Sequence, residues 1–160
     1  MELRMARRDE GFTLIELMVV LVIATILVSL AIPSYMTYVR QSRRTEAKTT
    51  LLDVAGREES YFSTNGSVYT GLATNLGFAA FGVPFGSGYY QLTVCSPASG
   101  NCTAGLGMPN PPAAPSYTIV ATPVAGTTQT RDTQCTAFAV DSTGQQYATG
   151  TGGTAYCWSN

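Results

Sequence analysis

Residues 11–33 read GFTLIELMVVLVIATILVSLAIP, and this stretch decides the architecture. From Phe12 to Ile32 it holds twenty-one residues with a single charge, Glu16. As a helix at about 1.5 Å per residue it spans about 31 Å, enough to cross a bilayer core of about 30 Å. Arg4, Arg7 and Arg8 precede it, and the positive-inside tendency keeps that end in the cytoplasm. The chain beyond the apolar run is delivered to the far side. A cleavable secretory signal fits poorly, because no small-x-small site lies after the run. The run ends at Pro33 and passes straight into a polar helical pattern. The acid is the anomaly. An ionised carboxylate at the bilayer centre costs about 2.5–3.5 kcal/mol on insertion scales, and one near an edge costs less. Glu16 therefore calls for a cationic partner, the alternative being a side chain that snorkels to the interface.

The rest of the chain is of a different character. Its 160 residues suit one domain. Nine Lys and Arg face ten Asp and Glu, and after Lys48 the only cations are Arg57 and Arg131. So few cations offer little surface for neutralising phosphates, and no nucleic-acid partner is expected. The chain contains no His, which removes His-based triads and His-ligated metals. No phosphate-binding Gly-rich loop, catalytic carboxylate pair or nucleophile elbow occurs. No catalytic residue, metal or cofactor is expected; Asp132 and Asp141 are two isolated acids, weak grounds for a metal site. Cys95, Cys102, Cys135 and Cys157 all lie downstream of the apolar run, an even count that fits disulfides in an oxidising compartment. Of the three possible pairings, the reading favours Cys95 with Cys102, closing the loop SPASGN, and Cys135 with Cys157, holding down the Gly- and Thr-rich segment 142–155.

With no proline after Pro33, the helix is expected to continue to about Phe62. Ala47, Leu51, Val54, Tyr61 and Phe62 share one face at about 100° per residue, and Glu58 falls on it too. Arg40, Arg43, Arg44 and Lys48 read as a lipid-headgroup clamp or subunit contacts, or as a solvated helix face. Residues 63–88 read as a long connecting loop. Strand character appears at 89–95, 116–122 and 134–141, with a turn at Asp141–Gly144 and a shorter strand at 145–149. The five prolines between 97 and 115 read as an extended turn. Trp158 reads as a packing residue beside Cys157. The expected class is α+β, one long N-terminal helix packed on an antiparallel sheet. The expected division is 1–11, 12–33 (membrane helix), 34–62 (its continuation) and 63–160 (loop and disulfide-stapled head).

The residues G11-F-T-L-I-E16 resemble the cleavage and methylation motif of type IV prepilins, of the type IVa class by their short charged leader. Pro33, Tyr35, Tyr38 and the segment QSRRTEA at 41–47 continue the likeness. It is specific over about the first fifty residues and looser beyond. The resemblance implies the pilin fold, a leader ending at Gly11, N-methylation of Phe12 by a prepilin peptidase, an assembly role for Glu16 and a helix bend at Pro33. A cut after Gly11 would place the new amino group of Phe12 one helical turn from Glu16, or offer it to a neighbouring copy. Such a pair at about 4 Å in an effective dielectric of about 20 is worth about 4 kcal/mol before desolvation losses, similar in size to the cost of the lone acid. Where many family members carry a Gly in the membrane helix this chain has Thr25, which bears on how far that helix unwinds in a filament. The run C135-T-A-F-A-V and a late Cys-Trp dipeptide resemble PilE-like minor pilins.

The implied function is that of a structural subunit of a type IV pilus, a minor one, serving motility or adhesion and catalysing nothing. The implied partners are other pilins, the peptidase, the inner-membrane assembly machinery and, before assembly, membrane lipid. The implied location is a single-pass inner-membrane protein with a periplasmic head, then an extracellular pilus. The alternatives are a pseudopilin of a type II secretion system and a membrane-anchored adhesive binding module.

Overall fold

The computed structural model describes residues 11–95, 106–108 and 115–159. They fall into two compact units, one ending at Tyr38 and one beginning at Val39.

Helix α1 (Leu14–Thr64) is continuous through both Thr25 and Pro33. Up to Tyr38 its apolar side chains are exposed all the way round, Leu14 at 78% and Leu30 at 71%. Apolar residues on every side give no amphipathic stripe, the pattern of a helix whose covering is lipid or other helices. Thr25 does not break it. Its hydroxyl donates to the Val22 carbonyl at 2.8 Å, as Ser29 does to Ile26 at 2.7 Å. These bonds keep the two polar groups satisfied within an apolar surface.

In the second unit the same helix changes character. Arg44, Ala47, Leu51, Val54 and Glu58 are buried, at spacings of three and four, so they form one stripe. That stripe packs on a five-stranded sheet: β1 (Pro84–Phe85), β2 (Tyr90–Cys95), β3 (Thr118–Pro123), β4 (Ala137–Asp141) and β5 (Gln146–Thr149). The order is sequential and every neighbour is antiparallel. The register sets Leu92, Ala121, Phe138 and Ala148 in one row, and Val94, Ile119 and Val140 in the next. Leu92, Val94, Ile119, Ala121, Phe138 and Val140 join Ala47, Leu51 and Val54 in the core. Each large side chain so buried contributes about 1.5–3 kcal/mol.

Four expectations need correction. The stretch 63–88 is not simply a loop, because Pro84 and Phe85 add an edge strand and Ala73–Leu76 a 3₁₀ turn. An edge position tolerates a proline that a central strand would not. A short helix, α2 (Gly153–Ser159), forms at the C-terminal end, where no helix was expected. The fourth strand begins at Ala137 rather than Gln134, since Asp132, Gln134 and Cys135 are drawn into a side-chain network centred on Arg44. Arg44 is neither a headgroup ligand nor solvated, but buried.

Candidate functional site

Gly11, Phe12 and Thr13 precede α1 and are exposed. The Thr13 hydroxyl accepts the Glu16 backbone N–H at 3.3 Å, and the Leu17 N–H reaches the Thr13 carbonyl at 3.2 Å. Thr13 thus caps the helix, and T13-L-I-E16 has the spacing of a capping box. Sequence reading assigned Glu16 an assembly role and missed this local one, although the T-x-x-E spacing was visible. A carboxylate in the first turn also suits the positive end of the helix dipole. Among the described residues no ion pair engages it. A Cβ built on Gly11 would meet nothing within 4 Å, and Gly11 has no positive φ. Packing among the described residues therefore does not demand a glycine there.

The head is fastened to its part of α1 by a polar network. Arg44 forms a two-pronged ion pair with Asp132: Nε to Oδ2 and Nη2 to Oδ1, both 2.7 Å and both buried. The hydrogen bond to Asp132 raises the Arg44 pKa despite burial, which lowers it. Asp132 also accepts from Gln129 at 3.0 Å and from the Cys135 N–H at 3.3 Å, while Gln129 donates to the Tyr90 hydroxyl at 3.1 Å. Burial raises the Tyr90 phenol to about 12, so it stays protonated. The disulfide Cys135–Cys157 begins one step from this network. Around it, Arg43 lies over the Tyr89 ring at 3.4 Å and donates to Thr128 at 2.8 Å. Lys48 donates to the Trp158 carbonyl at 3.3 Å, and Glu46 accepts from the N–H and hydroxyl of Ser87. Trp158 packs edge-to-face on Phe138 and donates to the Tyr147 carbonyl.

At the other end of the stripe Glu58 is wholly buried. One oxygen accepts the Thr70 N–H at 3.0 Å; the other has no hydrogen-bond partner among the described residues. Burial raises its pKa to about 7, with the Thr70 bond opposing and nearby Glu59 reinforcing. Asp141 is the reverse case. Burial pushes it up, but donors from Thr143, Tyr147 and Gln145 outweigh burial and lower its pKa. Asp132 and Asp141 are thus occupied as a buried ion-pair partner and a turn brace. The pairing expected for Cys95 and Cys102 lies outside the described residues, because Cys102 does.

Residues 33–139 match the family described as type IV minor pilin ComP, DNA uptake sequence receptor, and residues 6–32 match the prokaryotic N-terminal methylation motif. The chain belongs to this family of type IV minor pilins. It is 39% identical over 95 residues to the type IV major pilin protein PilA of Myxococcus xanthus, covering 59% of this chain and 40% of that protein. It is 42% identical over 58 residues to the fimbrial protein EcpC of Eikenella corrodens, covering 36% and 38% respectively. The match thus spans less than half the length of either relative. A type IV pilin from Shewanella oneidensis aligns with a TM-score of 0.42 at 19% identity, over 67% of this chain and 89% of that one.

Proposed function

We propose that this chain is a prepilin, cut between Gly11 and Phe12, N-methylated on Phe12, and drawn from the inner membrane into a type IV pilus as a structural, non-enzymatic subunit. The observation that carries the reading is the methylation-motif match at 6–32 together with a helix that, as far as Tyr38, is exposed and apolar on every side. In the membrane, lipid covers that surface. In a filament, the same helices of other subunits replace lipid, and apolar area stays out of water at each stage. Gly11 supports the cleavage point, since no packing among the described residues requires it. Glu16, without an ion pair among the described residues, is left to neutralise the amino group of Phe12, its own or a neighbour's. Before assembly the head sits on the periplasmic side, where its disulfide forms.

Mass spectrometry of the mature protein tests this directly. A chain beginning at N-methylated Phe12 is the expected species; an intact chain, or an unmethylated Phe12, refutes it and favours a membrane-anchored binding module.

The family description also names a receptor for DNA uptake sequences, which gives a second reading. From Val39 onward this chain has six cations and six acids. Arg44 is committed to Asp132, and Arg43 to Tyr89 and Thr128. Each phosphate neutralised adds about −0.9 to the slope of log affinity against log salt. Duplex DNA titrated into the full chain should therefore bind weakly, with a shallow slope. Tight binding with a steep slope would favour the receptor role over a purely structural one.

A further inference from the structure

A second surface lies where α1 ends. Its last turns and the 3₁₀ turn Ala73–Leu76 line an open, shallow cleft of about 510 Å³, a volume within the range of about 300–1,000 Å³ typical of small-molecule sites. Arg57, Ser60, Tyr61, Asn65, Asn75 and Leu76 are among its lining residues. We propose that this cleft binds a short neutral saccharide.

The argument is a count of committed and open hydrogen-bonding atoms. Asn75 Nδ2 donates to Thr70 Oγ1 at 3.0 Å and to the Tyr61 hydroxyl at 3.3 Å. Asn65 Nδ2 donates to the Tyr61 carbonyl and to Thr64 Oγ1, both at 2.9 Å. Both carboxamides are thus fixed through nitrogen, and among the described residues each keeps its oxygen as an open acceptor. Tyr61 accepts from Asn75, so its own O–H proton is open. Arg57 spends Nε on Asp53 and Nη1 on the Leu76 carbonyl, both at 3.0 Å, which leaves Nη2 open. The Ser60 hydroxyl makes no bond as donor or acceptor among the described residues and can serve either way.

Open acceptors and donors on one wall suit hydroxyl groups, each of which both gives and takes a hydrogen bond. Phosphates and carboxylates only accept, and the two amide oxygens would repel them. The one cation, Arg57, is already paired with Asp53, so the cleft has no excess positive charge to hold an anion. The half-buried Tyr61 ring supplies apolar surface for the C–H face of a sugar. This site is independent of the proposed cleavage and assembly.

The test uses the full chain in a zwitterionic detergent without a sugar headgroup, and saturation-transfer NMR. The probes are the methyl glycosides of glucose, galactose, mannose, N-acetylglucosamine and N-acetylgalactosamine at millimolar concentration, with protein-free micelles as the blank. At least one probe should show transfer, weakened tenfold or more by Asn65→Ala and by Ser60→Leu. Both changes fall at exposed positions, and an unchanged circular dichroism spectrum shows that the fold survives. Absence of transfer from all five probes overturns the proposal, as does transfer that both variants retain. Displacement of a bound probe by equimolar inorganic phosphate would mark an anion site and overturn it as well.

Discussion

Replacing Glu58 by Gln isolates what one buried acid does to the head. In the folded chain burial raises its pKa from the ordinary 4.5 to about 7. Below pH 4.5 the carboxyl is neutral whether the chain is folded or not, and the head is at its most stable with respect to this group. Between 4.5 and 7 the unfolded chain releases the proton while the folded one keeps it, so unfolding gains ground as pH rises. At about 1.4 kcal/mol per pH unit, the loss across that window is on the order of 3 kcal/mol. Above 7 the folded chain carries a buried anion with one oxygen unpartnered, and the loss is complete. Tyr69 and Tyr117, whose own pKa values are raised, stay protonated throughout this range and do not titrate against it. The measurement is urea unfolding of the full chain in detergent, monitored by Trp158 fluorescence from pH 4.5 to 8. Wild type should weaken steadily up to about pH 7, and Glu58→Gln should flatten that slope. The readout is slope rather than absolute stability, because a buried carboxamide has unmatched donors of its own. An unchanged slope in the variant would refute the assignment of this dependence to Glu58.

The same contacts set other outcomes. Asp132→Ala strands the Arg44 guanidinium in the core and should cost about 3–5 kcal/mol in the same unfolding assay; a loss below about 1 kcal/mol would mean water reaches Arg44. Replacing Cys135 and Cys157 together by Ser releases a crosslink of sequence separation 22, with an expected loss of about 3 kcal/mol on the chain-entropy account. Gly150 has φ +117°, and a Cβ there would lie 2.3 Å from the Gln134 carbonyl oxygen; Gly150→Ala should therefore lower the thermal midpoint, whereas Gly56→Ala, in open space on α1, should not. Glu16→Ala should leave membrane insertion intact and reduce recovery of the chain in sheared filaments, and normal recovery would count against charge pairing in assembly.

Legibility from sequence tracked how local the cause was. The membrane-length helix was visible because composition alone fixes it. Strands β2 to β5 were visible because alternation of apolar and polar residues is a short-range signal. The two-residue β1 lacked any period, and its proline argued against a strand; only pairing with Gln91 and Tyr90 makes it one. Helix α2 spans seven residues, too few to be stable alone. It is held by Cys157 and Trp158, which act across the fold. The Arg44–Asp132 pair joins residues 88 apart, and no local window contains both. One clue was available: Arg44 lies three residues before Ala47 on the apolar face, where a solvated arginine does not belong. Glu58 was placed on the correct face, but its partner is a backbone N–H twelve residues away, which carries no side-chain signature. At the N-terminus, the motif was read for its chemistry and its helix-capping geometry went unremarked.

The stripe on α1 has an arginine at one end and a glutamate at the other, fourteen positions and so about 21 Å apart. Between them lie Ala47, Leu51 and Val54, side chains that would tolerate sliding. The ends do not. Moving the sheet by a single turn, about 5.4 Å, would part Asp132 from its guanidinium and Thr70 from its carboxylate while both stayed buried. The two polar ends work as detents, giving the sheet one seat along the rod, so a pulling force on the head should be borne without creep until the seat gives way all at once.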